Sequence, residues 1–96
     1  MLYSIVIRPV AEHDLTTAAD WYDEQRMGLG DKFLDEINAA MNGLVNQPDI
    51  SPRYYGDFRR ILLHRFPYKI FYQIHDTRVI VFRVLHAKQS HANRLS

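Results

Sequence analysis

The stretch that decides the fold reads Arg59-Arg-Ile-Leu-Leu-His-Arg65, Phe66-Pro67, Tyr68-Lys-Ile-Phe-Tyr-Gln-Ile-His75, Asp76-Thr-Arg78, Val79-Ile-Val-Phe-Arg-Val-Leu85. Three runs of β-branched, aromatic and aliphatic residues are separated by two breaks short enough for hairpins. This series predicts a three-strand antiparallel meander. Side chains alternate across a strand, so Tyr68, Ile70, Tyr72 and Ile74 share one face and Lys69, Phe71, Gln73 and His75 the other. The first set is the better core candidate. In the last run Ile80, Phe82 and Val84 alternate with Val79, Val81, Arg83 and Leu85, which places Arg83 opposite Phe82 and Val84.

Upstream of the meander the period changes. Leu15, Ala18, Ala19 and Tyr22 recur at the spacing of one helical face. Glu12 and Asp14 suit the positive end of a helix that starts near Pro9 and runs to about Met27. Gly28-Leu-Gly30 then breaks the chain, since glycine enters the left-handed conformations that end helices. A second helix carries Phe33, Ile37, Met41, Leu44 and Val45 as its stripe and stops before Pro48. The short turn makes the two helices an antiparallel hairpin. Gln47 to Asp57 is a polar connection, and Tyr3 to Arg8, halted by Pro9, is a first strand. The predicted fold is α+β, ordered β-α-α-β-β-β, with the hairpin on one face of a small antiparallel-meander sheet. Trp21, Tyr22, Phe33, Ile37, Met41, Ile70, Tyr72, Phe82 and Val84 are its expected core. With 96 residues and no linker or repeat, residues 1–96 form one domain.

The chain has no cysteine, which excludes disulfides, thiolate metal sites and cysteine nucleophiles. It contains no leader-like segment and no apolar run near the ~20 residues that span a bilayer, so a cytoplasmic protein is expected. Charge is strongly divided along the sequence. Residues 10–50 hold nine acids and two bases, while residues 51–96 hold nine bases and two acids. Such a division suggests a basic functional surface on an acidic scaffold; the alternative is mutual neutralisation through surface ion pairs.

Arg59, Arg60, Arg65, Lys69, Arg83 and Lys88 fall on adjacent predicted strands, a set suited to phosphates or to an acidic protein segment. Tyr54-Tyr55 beside Arg53 is open to stacking or partner contact. The five histidines, at positions 13, 64, 75, 86 and 91, show no metal-ligand spacing, and no cofactor is expected. Gly28-Leu-Gly30 lacks the third glycine of a phosphate loop, and Ser90 beside His91 makes no triad signature.

The order of motifs resembles the RelE/ParE superfamily of toxins from bacterial type II toxin–antitoxin systems, in its ParE-like, plasmid-stabilisation branch. The matching segments are Pro9-Val-Ala-Glu-His-Asp-Leu15, Ala19-Asp-Trp-Tyr22, Gly28-Leu-Gly-Asp-Lys-Phe33, Arg59-Arg60, Arg65-Phe-Pro-Tyr-Lys-Ile-Phe-Tyr72 and Val84-Leu-His86. The resemblance implies a growth-inhibiting toxin held in check by a cognate antitoxin, alone as a homodimer or in a hetero-oligomer with it. ParE-like members poison DNA gyrase; RelE-like members cut messenger RNA on the ribosome. Carried over residue by residue, the nuclease pattern finds Arg60 and Lys69 in place. Leu62 stands where a second strand base is expected, Gln89 where an arginine is expected, and Leu95 near the position of a tyrosine. The resemblance therefore implies a non-enzymatic gyrase inhibitor with Arg59, Arg60, Arg65, Lys69, Arg83, His86 and Lys88 as its contact set. The alternatives are an mRNA interferase using His86, Lys69 and Arg60, or an inactive toxin fold that only binds partners.

Overall fold

The computed structural model describes residues 2–89 and 94–95. The expectations for Ser90 and His91 lie outside them. The elements in chain order are β1 (Ser4–Ile7), α1 (Pro9–Gln25), α2 (Leu29–Asn46), a 3-10 turn (Pro48–Ile50), β2 (Arg53–Tyr55), β3 (Phe58–Leu62), β4 (Tyr68–His75) and β5 (Arg78–His86). Pro9 opens α1, where its missing N–H costs nothing. Gly28, at φ +85°, turns the chain into α2. Gly30 then sits so close to α1 that a Cβ there would strike the Ala19 carbonyl oxygen and the Asp23 carboxylate. Its N–H donates to Asp23 Oδ1 at 2.8 Å, which pins the hairpin.

The sheet order is β1-β5-β4-β3-β2. β2 to β5 form an antiparallel meander, and β1 adds parallel to β5, with Ser4 opposite Arg78 and Ile7 opposite Val81. β2 is a strand inside the segment expected to be a polar connection. Gly56, at φ +56°, makes the tight reversal that lets it pair with β3. β3 ends at Leu62 rather than Arg65 because Glu36 of α2 takes over the backbone donors there. The N–H groups of His64 and Arg65 donate to its carboxylate at 2.6 and 3.2 Å.

The core lies between hairpin and sheet. α1 buries Ala11, Ala18, Ala19 and Tyr22, and α2 buries Phe33, Ile37, Met41 and Leu44 against Ile70, Tyr72, Val79, Val81 and Val84. Tyr22, Phe33, Phe66 and Tyr68 form an aromatic cluster, edge-on except for the tilted Tyr22–Phe33 pair, with ring centroids 4.8–6.1 Å apart. Two expected core residues are corrections. Trp21 is 53% exposed, because it follows Asp20 around to the solvent side of the α1 stripe. Phe82 leaves the core because of a bulge: Phe71 pairs with Arg83 but Tyr72 pairs with Val81, so Phe82 has no opposite residue. One extra residue inverts the alternation, sending Val79 and Val81 to the helix side. Phe82 instead packs on Phe58 at 5.0 Å, beneath the Arg8 guanidinium. On the sheet's far face Phe71, Leu85 and Leu95 form a second, smaller core.

Candidate functional site

The strand registers divide the predicted contact residues between the two sheet faces. Arg60 stands opposite Phe71, and Lys69 opposite both Leu62 and Leu85, so Arg60, Leu62 and Lys69 share the far face. Arg60 lies 3.7 Å over the ring of Tyr54, whose centroid is 6.0 Å from that of Phe71. A cation stacked on an exposed aromatic is held in place while it keeps its charge for a partner. Leu62, 57% exposed, occupies the surface between the two cations. Arg59 points to the other face, opposite Tyr72, and donates from Nη1 to the Ser51 carbonyl at 2.5 Å. Arg65 is exposed at the β3–β4 turn, with its guanidinium 5.8 Å from the Phe66 ring.

His86 pairs with Tyr68 and therefore faces the helices, its ring 5.2 Å edge-on from that of Tyr68. Its Nδ1 accepts from the Lys88 N–H at 3.1 Å, so the neutral ring carries its proton on Nε2. Its backbone N–H donates to Gln89 Oε1 at 2.7 Å. Lys88 is exposed beside it.

Arg83 is held by a bidentate pair that the sequence reading missed. Its Nε and Nη2 donate to the Asp14 carboxylate at 2.7 and 2.8 Å, and the Val84 N–H donates to the same carboxylate at 3.0 Å. β1 has already ended at this level, so Asp14 caps the edge of β5 that β1 leaves bare. The paired carboxylate holds Arg83 above the usual guanidinium range, against the opposing effect of burial. Its Nη1 also donates to the Arg94 carbonyl at 3.2 Å. Asp14 lies four residues before Ala18 on the buried stripe, and that spacing was the available signal.

The Arg83–Asp14 contact is the one ion pair among the described residues. Glu12, Asp20, Asp23, Glu24, Asp31 and Asp35 are all exposed on the helices. Among the described residues, the acidic and basic halves therefore neutralise each other through this single ion pair and no other, and Arg60 and Lys69 on the far face are outside any ion pair. No group of three or more metal-ligating side chains occurs among the described residues. Their helices include none long and apolar enough to cross a membrane.

With this geometry in place, the family comparison is decisive: residues 5–91 match the model of the ParE toxin of the type II toxin–antitoxin system parDE. The chain belongs to the ParE toxin family. It is thus a type II toxin by family and fold. No curated protein sequence matches it. Among solved structures it is similar to the chromosomal ParDE toxin–antitoxin system of P. aeruginosa, with TM-score 0.79, 17% identity, and coverage of 88% of this chain and 96% of that one. The toxin–antitoxin complex RelBE2 of Mycobacterium tuberculosis gives TM-score 0.66 at 20% identity, covering 90% and 99%. A mutant of the E. coli toxin RelE in the free state gives 0.72 at 20% identity, covering 99% and 95%. The ParE and RelE likenesses share one architecture, so the choice between their modes of action falls to the side chains.

Proposed function

We propose that this ParE-family chain inhibits growth by binding DNA gyrase through surface contacts, without cutting RNA, and is neutralised by a cognate antitoxin. The observation carrying this reading is the separation of the groups a nuclease would need. Cleavage by 2′-hydroxyl attack requires a base, an acid and charge stabilisation around one phosphate. His86 faces the helices, whereas Arg60 and Lys69 lie on the opposite sheet face, with Leu62 between them. Arginine is always protonated and supplies no base on that face. What the far face does offer is cationic and aromatic contact, suited to a protein partner or to an acid-bearing antitoxin segment.

The test runs the purified toxin in parallel through gyrase supercoiling inhibition and ribosome-dependent mRNA cleavage. Supercoiling is expected to fall while ribosome-bound mRNA stays intact. His86→Ala is expected to keep its growth inhibition, because surface contact does not depend on one proton-transfer group. Loss of an essential acid or base reduces turnover by about 10²–10⁴-fold. Codon-specific cleavage by the wild type, lost in His86→Ala, would overturn the gyrase reading in favour of an interferase. Co-expression with the neighbouring gene product is expected to restore growth and yield a stable complex.

A further inference from the structure

The far face of the sheet carries charge of one sign. None of the five strands contains an aspartate or a glutamate. Among the described residues, the acids at the sheet's margins are committed elsewhere. Asp14 holds Arg83, and Glu36 accepts from the His64 and Arg65 N–H groups. Asp57 and Asp76 line a cleft with Arg53 and Arg59, at the opposite end of β4 from Lys69. Asp49 sits on the helix side, in the turn whose Pro48 carbonyl accepts from the Tyr72 hydroxyl. A second copy of the chain would bring like charges together on the far face, so the face calls for an acidic partner.

The aromatic residues of this face decide between an acidic protein and a nucleic acid. Sequence-tolerant binding of single strands stacks bases on open aromatic faces. Here those faces are taken. Arg60 lies 3.7 Å over Tyr54, and Arg8 lies 4.5 Å over Phe82. Phe58 is met edge-on by Phe82 at 5.0 Å and stacked by Tyr55 at 6.5 Å. Phe71 is fully buried with Leu95. A guanidinium stacked on a ring keeps its N–H edge free, and that edge takes a carboxylate in its plane.

The register sets the spacing. Arg60 stands opposite Phe71 and Lys69 opposite Leu62, so the two cations are diagonal neighbours across β3 and β4. Diagonal neighbours lie about 7–8 Å apart, close to the ~7 Å between residues two apart on an extended chain. Leu62, 57% exposed, fills the corner between them. We infer that this corner docks an extended acidic segment of the toxin's protein target, with two glutamates two residues apart reaching Arg60 and Lys69 and their methylenes resting on Leu62. The inference rests on the reading of the far face as the target-contact surface, and adds the chemistry and spacing of what that surface reads.

The test titrates the isotope-labelled full chain by NMR with the acetylated, amidated peptide Thr-Glu-Thr-Glu-Thr. The controls are Thr-Lys-Thr-Lys-Thr, single-stranded oligothymidylate, and Thr-Glu-Glu-Thr-Thr, whose adjacent acids point to opposite sides of an extended chain. Saturable shifts of β3 and β4 amides are expected with the first peptide, with a Kd on the order of 1 mM that weakens as salt is raised. The double variant R60Q/K69Q, altered only on the sheet surface, is expected to bind about tenfold more weakly and to lose supercoiling inhibition. No saturable shift by about 10 mM peptide would overturn the inference. So would equal binding of the adjacent-acid or lysine peptide, or unchanged peptide affinity in R60Q/K69Q. Tighter binding of oligothymidylate at the same amides would replace the inference with a nucleic-acid site, and full gyrase inhibition by R60Q/K69Q would remove the segment from the target. Peptide binding by a wild-type chain that leaves gyrase active would sink the functional reading and leave the carboxylate site standing, so the two fail separately.

Discussion

Asp14 shows how much one side chain settles at the scale of single residues. Three donors, two from Arg83 and one from the Val84 backbone, converge on its carboxylate, whose side chain is only 11% exposed. Removing it leaves a mostly buried guanidinium and a strand-edge N–H without an acceptor. Asp14→Ala is therefore expected to destabilise the fold by about 3 kcal/mol, with Asp14→Asn intermediate, as read from urea unfolding midpoints. An effect below the level of an exposed ion pair would show that the contact does not persist in solution. Tyr22, Tyr68 and Tyr72 give the expected pH dependence, because burial raises all three phenol pKa values. A raised pKa keeps the native phenol protonated while the unfolded one ionises, so stability is intact below about pH 10 and falls as pH rises through the native values. Alkaline unfolding followed by circular dichroism and tyrosinate absorbance checks this; coincident onsets are expected. Sequence revealed the charges of Asp14 and Arg83 but not their meeting, since 69 residues separate them and only the closed sheet brings α1 to β5.

Among elements, the helix hairpin is the part most legible in sequence, and its two glycines in α2 behave differently. Gly30 has no room for a side chain, whereas a Cβ on Gly43 would meet nothing within 4 Å. Gly30→Ala is expected to cost about 1–3 kcal/mol by forcing the helices apart. Gly43→Ala is expected to stabilise by about 0.5–1 kcal/mol, because alanine favours an exposed helix. Thermal melts of the two variants should shift in opposite directions; shifts of the same sign would contradict the packing described. The sheet was legible in its runs but not in its registers. Alternation correctly put Ile70, Tyr72 and Val84 in the core, but a bulge leaves no mark in a hydrophobic pattern, and Phe82 was carried to the wrong side by it. Ile37→Ala, at a site 1% exposed, is thus expected to cost about 2–5 kcal/mol, and Phe82→Ala distinctly less. β2 stayed hidden because three exposed residues carry no alternation to detect.

For the whole molecule, the segregation of charge along the sequence became a segregation in space, acid on the hairpin and base on the sheet, and this much was visible in the order of residues alone. Which face each cation occupies was not, because face assignment needs the register. The parallel pairing of β1 with β5 carries a further consequence, for the order of synthesis. Ser4 meets Arg78, so the first strand to leave the ribosome finds its neighbour only after the helices and β2 to β4 have followed. Closing so long a loop is an entropic cost, and the contacts available earlier, such as the Tyr3 N–H donating to the Val45 carbonyl at 2.9 Å, do not supply β1 with its strand partner. β5 also carries Val79, Val81 and Val84, so a nascent chain that lacks it lacks much of its core. A fragment ending at residue 77 is expected to show no cooperative thermal transition by circular dichroism, and a sharp melt there would refute the point. A toxin arranged in this way is expected to stay inert until its translation is nearly finished, and prematurely terminated copies are expected to leave growth unaffected when expressed.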